Sequence, residues 1–327
     1  MKNMKTDLLR RCCLGILILG AIATSNTSLA QTRLLPILES PVDARAAAMG
    51  GVALMNTDRS YLYINPTSIV YQDTKFTVSA NGVLFPKYGA ADGRLKKATI
   101  SVGQKFFDRH AFYAGFRYQG GLSHKVSTGQ FDNQDPLEYN PFDWVADLGY
   151  AYRISKRFSV FATGSFIQSY TGRAAYAGAF GIGANYLKDF QISETDVLLN
   201  IAARVADFGT PLYYSSSERY TLPSKAELTA DLTTLFSKNH KLVTLIGGRS
   251  FFMPTNVQVY QANMGAEYTL YDLLSLRAGV QLGNRSTGHW SCGAGLGYKR
   301  AKIDFSFLRG LNTTHSDRLV LTLSYNY

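Results

Sequence analysis

The end of the chain shows a pattern that recurs along most of its length. Leu319, Leu321 and Leu323 alternate with polar or smaller side chains, and Tyr325 and Tyr327 continue the apolar row. Successive side chains of a β-strand point to opposite faces, so this spacing predicts a strand with one apolar and one polar face. A tilted strand of about ten residues is long enough to cross a bilayer. The segment therefore predicts a β-strand that crosses a membrane.

The same alternation is found repeatedly from residue 75 onward. It predicts fourteen strands, at residues 75–85, 98–106, 111–121, 144–153, 158–170, 177–187, 197–208, 225–236, 241–251, 260–269, 274–282, 288–298, 301–309 and 317–327. An even number of antiparallel strands closes into a barrel with both chain ends on one side. The predicted fold is therefore all-β: a transmembrane antiparallel β-barrel of about 14 strands, preceded by a short N-terminal helical or coil segment.

The connections between the predicted strands differ in length. Those after even-numbered strands are mostly tight, whereas 122–143 and 209–224, which follow odd-numbered strands, are long. The exception is the stretch 188–196, which follows the sixth strand and is not tight. Bacterial barrels have short periplasmic turns and long external loops. We therefore expect both termini to lie in the periplasm.

The first thirty residues predict an export signal. Four basic residues lie within the first 11 positions, an apolar run spans 12–23, and a small-x-small motif ends at Ala30. This is the layout of a cleavable signal peptide, and the apolar run is too short to cross a membrane as a helix. Removal of residues 1–30 would leave Cys292 as the only cysteine, which excludes an intrachain disulfide.

Composition agrees with membrane-crossing strands. The chain is 46% hydrophobic and holds 21 Tyr and 19 Phe. Beyond the leader, however, no apolar stretch approaches the ~18 residues of a transmembrane helix. Lipid-facing strands produce this combination. A soluble β-sandwich or lipocalin would also alternate, with its apolar face turned inward, and remains an alternative.

Charged residues within the predicted strands are expected on the inner face. A charge that faces lipid at the bilayer midplane costs about 2–4 kcal/mol. The lumen-facing candidates are Arg117, Asp147, Glu267, Arg277, Lys302 and Asp304. They either line a path through the barrel or pair with one another and fill a closed lumen.

The stretch before the first strand does not alternate. Residues 43–49 are alanine-rich and suit one or two helical turns, which Gly50 and Gly51 would end. Asn65 is biased away from helix because Pro66 follows it. A leader of this size is predicted to plug the lumen, the alternative being a periplasmic arm. The chain thus divides into a signal peptide (1–30), an N-terminal plug or hatch segment (31–74) and a barrel (75–327).

Several short motifs resemble the PorV/PorQ family of Bacteroidetes outer-membrane proteins. The likeness begins at 43–51, continues at 65–66, 222–224 and 276–280, and extends to the last strands. That family belongs with the FadL-like fourteen-stranded barrels. The resemblance implies a plug or hatch motif formed by Arg45, Met49, Gly50, Gly51, Asn65 and Pro66.

The same resemblance implies a role in type IX protein secretion. Such barrels bind secreted cargo or partners of an attachment complex at the cell surface. The alternative is a FadL-like transporter of small hydrophobic molecules across the outer membrane. An apolar groove between plug and wall would favour transport, whereas a polar, salt-bridged lumen would favour docking.

Residues for catalysis or metal binding are not predicted. The five histidines scatter over predicted turns, loops and strand ends, and we interpret them as surface residues. Ser123, His124, Asp132 and Asp135 share one predicted loop, but proximity in sequence is poor evidence for a catalytic triad. Some members of that family are named as lipid A deacylases, so deacylation of lipid A is a minor alternative. We expect neither an enzyme nor a cofactor.

The formal charge of +11 does not indicate a nucleic-acid partner, because no basic run after the leader exceeds two residues and export separates the protein from the genome. Basic residues near anionic lipid are attracted to its surface. Those in the predicted external loops could contact lipopolysaccharide: Lys87, Arg94, Lys96, Lys97 and Lys125. The expected location is the outer membrane, with its lipids, lipopolysaccharide and type IX components or cargo as partners.

Overall fold

Fourteen long strands form a closed antiparallel barrel, as the alternation predicts. The computed structural model describes residues 35–40, 42–87, 92–126, 137–192, 195–215, 219–255, 258–284, 287–311 and 317–327. The predicted signal peptide lies outside these ranges. None of the helices in the described part of the chain is long and apolar enough to cross a membrane.

Two short helices and a 3-10 turn precede the strands: α1 (Pro36–Glu39), α2 (Ala44–Ala48) and the 3-10 helix Ser68–Tyr71. The barrel strands are β1 (Phe76–Leu84), β2 (Asp92–Phe106), β3 (His110–Val126), β5 (Phe142–Arg153), β6 (Phe158–Tyr170), β7 (Ala174–Ile192), β8 (Thr195–Gly209), β11 (Lys225–Ser237), β12 (His240–Phe251), β13 (Val259–Leu270), β14 (Leu274–Gly283), β15 (His289–Tyr298), β16 (Ala301–Gly310) and β17 (Arg318–Asn326). Three short strands lie in the connections: β4 (Leu137–Tyr139), β9 (Leu212–Tyr213) and β10 (Arg219–Tyr220).

Each barrel strand pairs with its neighbours in chain order, and β17 closes the ring on β1. This closing ladder runs from Thr77 opposite Asn326 to Leu84 opposite Leu319. Lipid offers no hydrogen-bond partners, so a spanning sheet must satisfy its own backbone groups by closing on itself. Over the described residues, the wall is therefore continuous.

The two ends of the barrel differ. One end, called the turn end below, carries the start of β1, the end of β17 and short connections; the opposite end is the loop end. Since β7 extends to Ile192 and β8 resumes at Thr195, the connection predicted at 188–196 is short as well. Tyr271 and Asp272 have φ of 55° and 50°, as expected for a primed hairpin turn whose twist matches the strands.

Exposure alternates along the strands as their sequence does. In β17, Leu321 and Leu323 are 44% and 48% exposed, whereas Val320 and Thr322 are fully buried. Cys292 is also exposed, on the outer face of β15. Stacked or tilted aromatic rings cross β3, β5, β6 and β7 on that outer face: Phe116, Trp144, Phe166 and Tyr176. Aromatic rings on the outer face of a membrane barrel are typical of the boundary between lipid tails and headgroups.

The residues before β1 lie inside the barrel. We call the described residues 35–40 and 42–74 the N-terminal segment. Near the loop end, Leu35, Ile37 and Leu38 pack against inward-facing residues of β5, β6 and β7 and against the connection that carries β9 and β10. Helix α2 lies against β14, β15, β16 and β17. The functional division into plug and barrel stays a prediction.

Helix α2 is short because a capping residue precedes it and two glycines follow it. At its start, the Asp43 side chain accepts a hydrogen bond from the Ala46 backbone N–H at 2.9 Å, as an N-cap does. At its end, Gly50 and Gly51 have φ of +80° and +72°, a left-handed conformation that terminates helices. The prediction of one or two helical turns at 43–49 is thereby confirmed, as a helix of five residues.

Inward-facing glycines allow the end of α2 to touch the barrel wall. A Cβ atom on Gly265 would lie 2.7 Å from the Cβ and carbonyl oxygen of Met49. A Cβ atom on Gly279 would overlap the backbone of Met49 and Gly50. Backbone therefore packs directly on backbone here, which only glycine permits.

Gly279→Ala should push the N-terminal segment off the wall, because the new methyl group has no room. We expect the free energy of unfolding to fall by about 1–3 kcal/mol, as for other overpacked sites. The measurement is the urea concentration at which half of the refolded barrel is unfolded. Heat-modifiable gel migration monitors the unfolding. Gly82→Ala is the matched control, since a Cβ atom on Gly82 meets nothing within 4 Å. Equal midpoints for the two variants would contradict the close contact.

Candidate functional site in the barrel lumen

A chain of buried ion pairs ties the N-terminal segment to β13, β14 and β16. Arg45 donates to both carboxylate oxygens of Glu267, each at 2.8 Å. Glu267 also accepts a hydrogen bond from Arg277. The Nη1 atom of Arg277 then donates to Asp304 at 2.7 Å, and Asp304 accepts from Arg59. Alternating charges therefore connect two residues of the segment with three of the wall.

The edge of this network lies toward the turn end. Lys302 pairs with Asp58, and the Asn326 side chain donates to the Asp58 carbonyl at 2.6 Å. Burial would raise the pKa of Asp58, but the charges of Arg59 and Lys302 hold it well below its ordinary value. Asp58 therefore stays ionised at any pH near neutrality, and its pair with Lys302 persists.

Neutral hydrogen bonds join the segment to both sides of the seam where β17 meets β1. The Ala44 backbone N–H donates to the Thr322 hydroxyl of β17 at 2.8 Å. Thr322 in turn donates to Asn81 of β1 at 2.7 Å. The Ser60 backbone N–H donates to the Ser79 hydroxyl, also of β1, at 3.0 Å. The segment thus spans the closure of the barrel.

At the loop end, two lysines of the wall hold the carbonyl end of α1. Lys97 donates to the carbonyl oxygens of Ile37 and Ser40 at 2.9 and 3.0 Å, and Lys225 donates to that of Leu38 at 3.0 Å. Cations are favourable at a helix C-terminus. The prediction that Lys97 meets lipopolysaccharide is wrong, because Lys97 lies on the inner face of β2 and is 2% exposed.

A second charged cluster lines the wall on β3, β5 and β6. Arg117 donates to both oxygens of Asp147 at 2.8 and 2.6 Å. Tyr63 of the segment and Ser165 of β6 donate to the same carboxylate at 3.1 and 2.6 Å. The Arg117 guanidinium also lies over the Tyr63 ring, 5.4 Å from its centroid. Each of the two oxygens of the Asp147 carboxylate therefore accepts two hydrogen bonds.

The charged wall continues onto β8, β11 and β12. Glu227 accepts hydrogen bonds from Arg204 and from Arg249, and the pair Lys225–Asp207 is closed at 2.7 Å. A β-bulge brings Asp207 into the lumen: Ala206 and Asp207 together oppose Gly181 of β7, and Asp207 has a φ of 58°. Bulges often re-aim a side chain in this way.

A cavity of about 100 Å³ lies between the N-terminal segment and this charged wall, beside the contact of Tyr63 with Asp147. The segment contributes mainly apolar side chains, among them Leu38, Val52 and Leu62. Apolar clusters lie on either side of it, one around Leu35 and Ile167 at the loop end. The other, toward the turn end, includes Tyr61, Ile69, Val70, Tyr113 and Phe161. The cavity is therefore polar on the wall side and apolar on the segment side.

The structure brings the predicted lumen residues together in two groups. Arg117 and Asp147 line the cavity, whereas Glu267, Arg277, Lys302 and Asp304 belong to the network around α2. Of the predicted plug motif, Arg45, Met49 and Gly50 contact the wall through that network and the glycines. Gly51 lies beside the cavity. Asn65 donates to Asn185 and to the Leu54 carbonyl, and the Pro66 carbonyl accepts from Tyr113. Their functional roles stay predictions.

Sequence reasoning missed the charged residues that pair with these candidates. Asp58 and Arg59 lie in the irregular segment, where no periodicity indicates a face. Lys225 and Glu227 occupy alternate, inward positions at the start of β11, and this period of two is a signal that was available. The interpretation of His289 as a surface residue is wrong, since β15 begins with it facing inward and it is 4% exposed.

Comparison with known proteins identifies the fold. No family model and no curated protein matches the chain. Among solved structures, the Ralstonia pickettii toluene transporter TbuX matches with a TM-score of 0.58 and 15% identity, over 90% of this chain and 100% of that one. The Pseudomonas putida toluene transporter TodX matches with 0.55 and 14%, over 87% and 97%. The chain therefore has a FadL-like β-barrel fold.

At this identity the likeness establishes the FadL-like fold alone. Another structure of that fold is the CymD monoaromatic hydrocarbon channel, with a TM-score of 0.54 and 12% identity over 87% of this chain and 97% of that one. These neighbours are named as transporters and channels, and none of them is named as an enzyme. The PorV/PorQ resemblance, and with it Bacteroidetes and type IX secretion, stays a hypothesis.

Glu267→Gln tests the ion-pair chain, because it leaves Arg45 and Arg277 buried with a neutral partner. Breaking a buried pair by removing one charge costs about 3–5 kcal/mol, and we expect a loss of this size in the unfolding free energy. The control is Asp272→Asn at the rim, where Asp272 is 77% exposed and pairs with Lys241. That change should cost less than about 1 kcal/mol. Similar losses of unfolding free energy in both variants would show that the buried network stabilises the protein no more than an exposed ion pair does.

Proposed function

We propose that this FadL-like barrel carries small hydrophobic molecules across the outer membrane. The observation that supports this is a closed barrel filled by its own N-terminal segment, with a cavity left between that segment and one side of the wall. A barrel of this width has room inside for such a segment. The structures that share the fold are named as toluene transporters, and we extend that class to this chain.

We infer that the turn end faces the periplasm and the loop end faces the exterior, with both termini periplasmic. Short turns at one end and long loops at the other have this orientation in bacterial barrels. A solute would then enter past the connection 210–224, whose Leu212 and Leu222 are buried in the apolar cluster around α1.

The proposed path continues through the cavity toward the turn end. Below the cavity, Leu62, Ile69 and Val70 of the segment pack against Tyr113 and Phe161 of the wall. Apolar contacts are non-directional, so they re-form after a small displacement more readily than ion pairs do. We therefore place the movement that admits a solute on this side of the segment, while α2 stays fixed.

Ala206→Trp should block this path. Ala206 lines the cavity and is 7% exposed, so an indole there fills the space between segment and wall. We expect protein-dependent uptake of toluene to fall roughly tenfold or more, since a packed cavity has no room for further atoms. The assay compares intact host cells that express the protein with cells that carry an empty vector.

The matched control for this variant is Ala203→Trp. Ala203 lies on the same strand but faces outward and is exposed, so the added ring enters lipid. Both variants must reach the outer membrane and show heat-modifiable migration. Uptake that survives in the Ala206→Trp variant would rule out transport through the cavity.

A second candidate function is docking of protein partners in type IX secretion. It is supported by the salt-bridged half of the lumen, where Arg45, Arg59, Glu267, Arg277 and Asp304 hold the segment in place. In this proposal the external loops bind secreted cargo or attachment-complex components. Lys87 and Lys96, both exposed near the loop end, would contact lipopolysaccharide. No nucleic-acid partner is proposed.

Deletion of the protein in its own cells distinguishes the two functions. A docking role predicts loss of secreted proteins from the cell-surface proteome, because cargo has no acceptor. A transport role predicts an unchanged surface proteome together with slower uptake of hydrophobic solutes. Photo-crosslinking from the connection 122–143 provides the direct measurement, and the absence of any crosslinked secreted protein would remove docking through that loop.

A further inference from the structure

The wall of the cavity is unusually rich in charged groups for a site that admits hydrocarbons. Arg117, Arg204, Lys225 and Arg249 line it together with Asp147 and Asp207. Apolar residues of the segment, among them Leu38, Val52 and Leu62, face them. Small-molecule sites are mostly apolar, with a few polar groups that fix orientation. Here the polar side is as extensive as the apolar one.

The charges of the cavity balance. Its four bases are matched by four acids that line it or pair with those bases: Glu39, Asp147, Asp207 and Glu227. An ionised solute would bring one charge without a counter-charge into a buried site, which is unfavourable. Local electrostatics therefore favour a solute without net charge.

A pure hydrocarbon also fits this wall poorly. It would displace water from the Arg117 N–H groups that Asp147 does not engage and from the hydroxyl oxygens of Tyr63 and Ser165, without offering hydrogen bonds in return. Buried polar groups left without a partner carry a free-energy cost. A solute with one hydroxyl group can accept from the free N–H groups of Arg117 or donate to the hydroxyl oxygen of Tyr63 or Ser165, while its remaining surface contacts the segment.

The size of the cavity restricts the solute further. Its volume is about 100 Å³, whereas an apolar cavity of ~150 Å³ in another protein holds one benzene molecule. A single ring with small substituents therefore fits after only a modest displacement of the segment, and larger solutes need a larger one.

We propose that the cavity selects small, uncharged molecules with one apolar ring or short chain and one hydrogen-bonding group, such as phenols, over the corresponding hydrocarbons. This inference rests on the proposed transport function and names the solute class of that same cavity. Arg117 and Asp147, with Tyr63 and Ser165, form the polar side that discriminates between solutes.

Three probes that differ at one position test the selection: p-cresol, toluene and 4-methylbenzoate. Initial uptake is measured in intact host cells that express the full chain, and the rate in empty-vector cells is subtracted. We expect the protein-dependent uptake of p-cresol to exceed that of toluene roughly tenfold, as for loss of one or two buried hydrogen bonds. The rate for 4-methylbenzoate should be the lowest.

The double variant Arg117→Met with Asp147→Leu replaces the whole ion pair with apolar groups of similar size, a change that buried pairs often tolerate. It should shift the preference toward toluene. Ser165→Ala, which removes only a hydroxyl group, should lower the p-cresol to toluene ratio by a smaller factor. Lys241→Met with Asp272→Leu is the control, because this pair lies at the turn-end rim and should leave the ratio unchanged.

The outcomes separate the two proposals. No protein-dependent uptake of any probe overturns transport itself, and the selection falls with it. Uptake in which toluene equals or exceeds p-cresol leaves transport standing and overturns the selection. Fastest uptake of 4-methylbenzoate contradicts the preference for uncharged solutes. A ratio that changes equally in the cavity variants and in the rim control would exclude Arg117 and Asp147 as the discriminating groups.

Discussion

The structure depends on the buried chain of charges that runs from Arg45 through Glu267, Arg277 and Asp304 to Arg59. A barrel whose outer face meets lipid has to place its polar side chains inside, where water cannot fully solvate them. Each charge is then tolerable only beside an opposite one. The N-terminal segment supplies two of the charges, so the same segment that fills the lumen also neutralises the buried carboxylates of its wall.

This arrangement makes the lumen asymmetric. On the side of β13 to β17, ion pairs and contacts between glycine and backbone hold α2 directly against the wall. On the side of β3 to β8, the contacts are apolar or are single hydrogen bonds such as that from Tyr113 to the Pro66 carbonyl. The cavity lies on this second side. The ionic contacts and the cavity thus lie on opposite sides of the segment.

The sequence predicts the strands well where they contact lipid, because only there does the membrane impose an alternation of apolar and polar residues. Strand β6 has its predicted ends, 158 and 170. Strand β2 begins at Asp92 and not at residue 98, since the stretch that includes Arg94, Lys96 and Lys97 is too polar to show the pattern. The short strands β9 and β10 were not predicted because two residues are too few to show a period of two.

The site was predictable to the extent that it lies on regular strands. Glu267 and Arg277 are opposite each other in the ladder between β13 and β14, and their inward positions follow from the period of two. Their partner Arg45 comes from a segment whose path is set by tertiary contacts alone. The bulge shifts the alternation by one residue, so that Asp207 faces inward and Phe208 outward, whereas a strict period of two assigns both to the opposite faces.

The hydrogen bonds across the seam have a consequence for assembly. Thr322 of the last strand contacts both Ala44 of the segment and Asn81 of the first strand, so residues made early and late meet at one point. Seating the segment and joining the last strand to the first therefore depend on the same side chains, so insertion of the interior and closure of the wall are coupled steps of assembly.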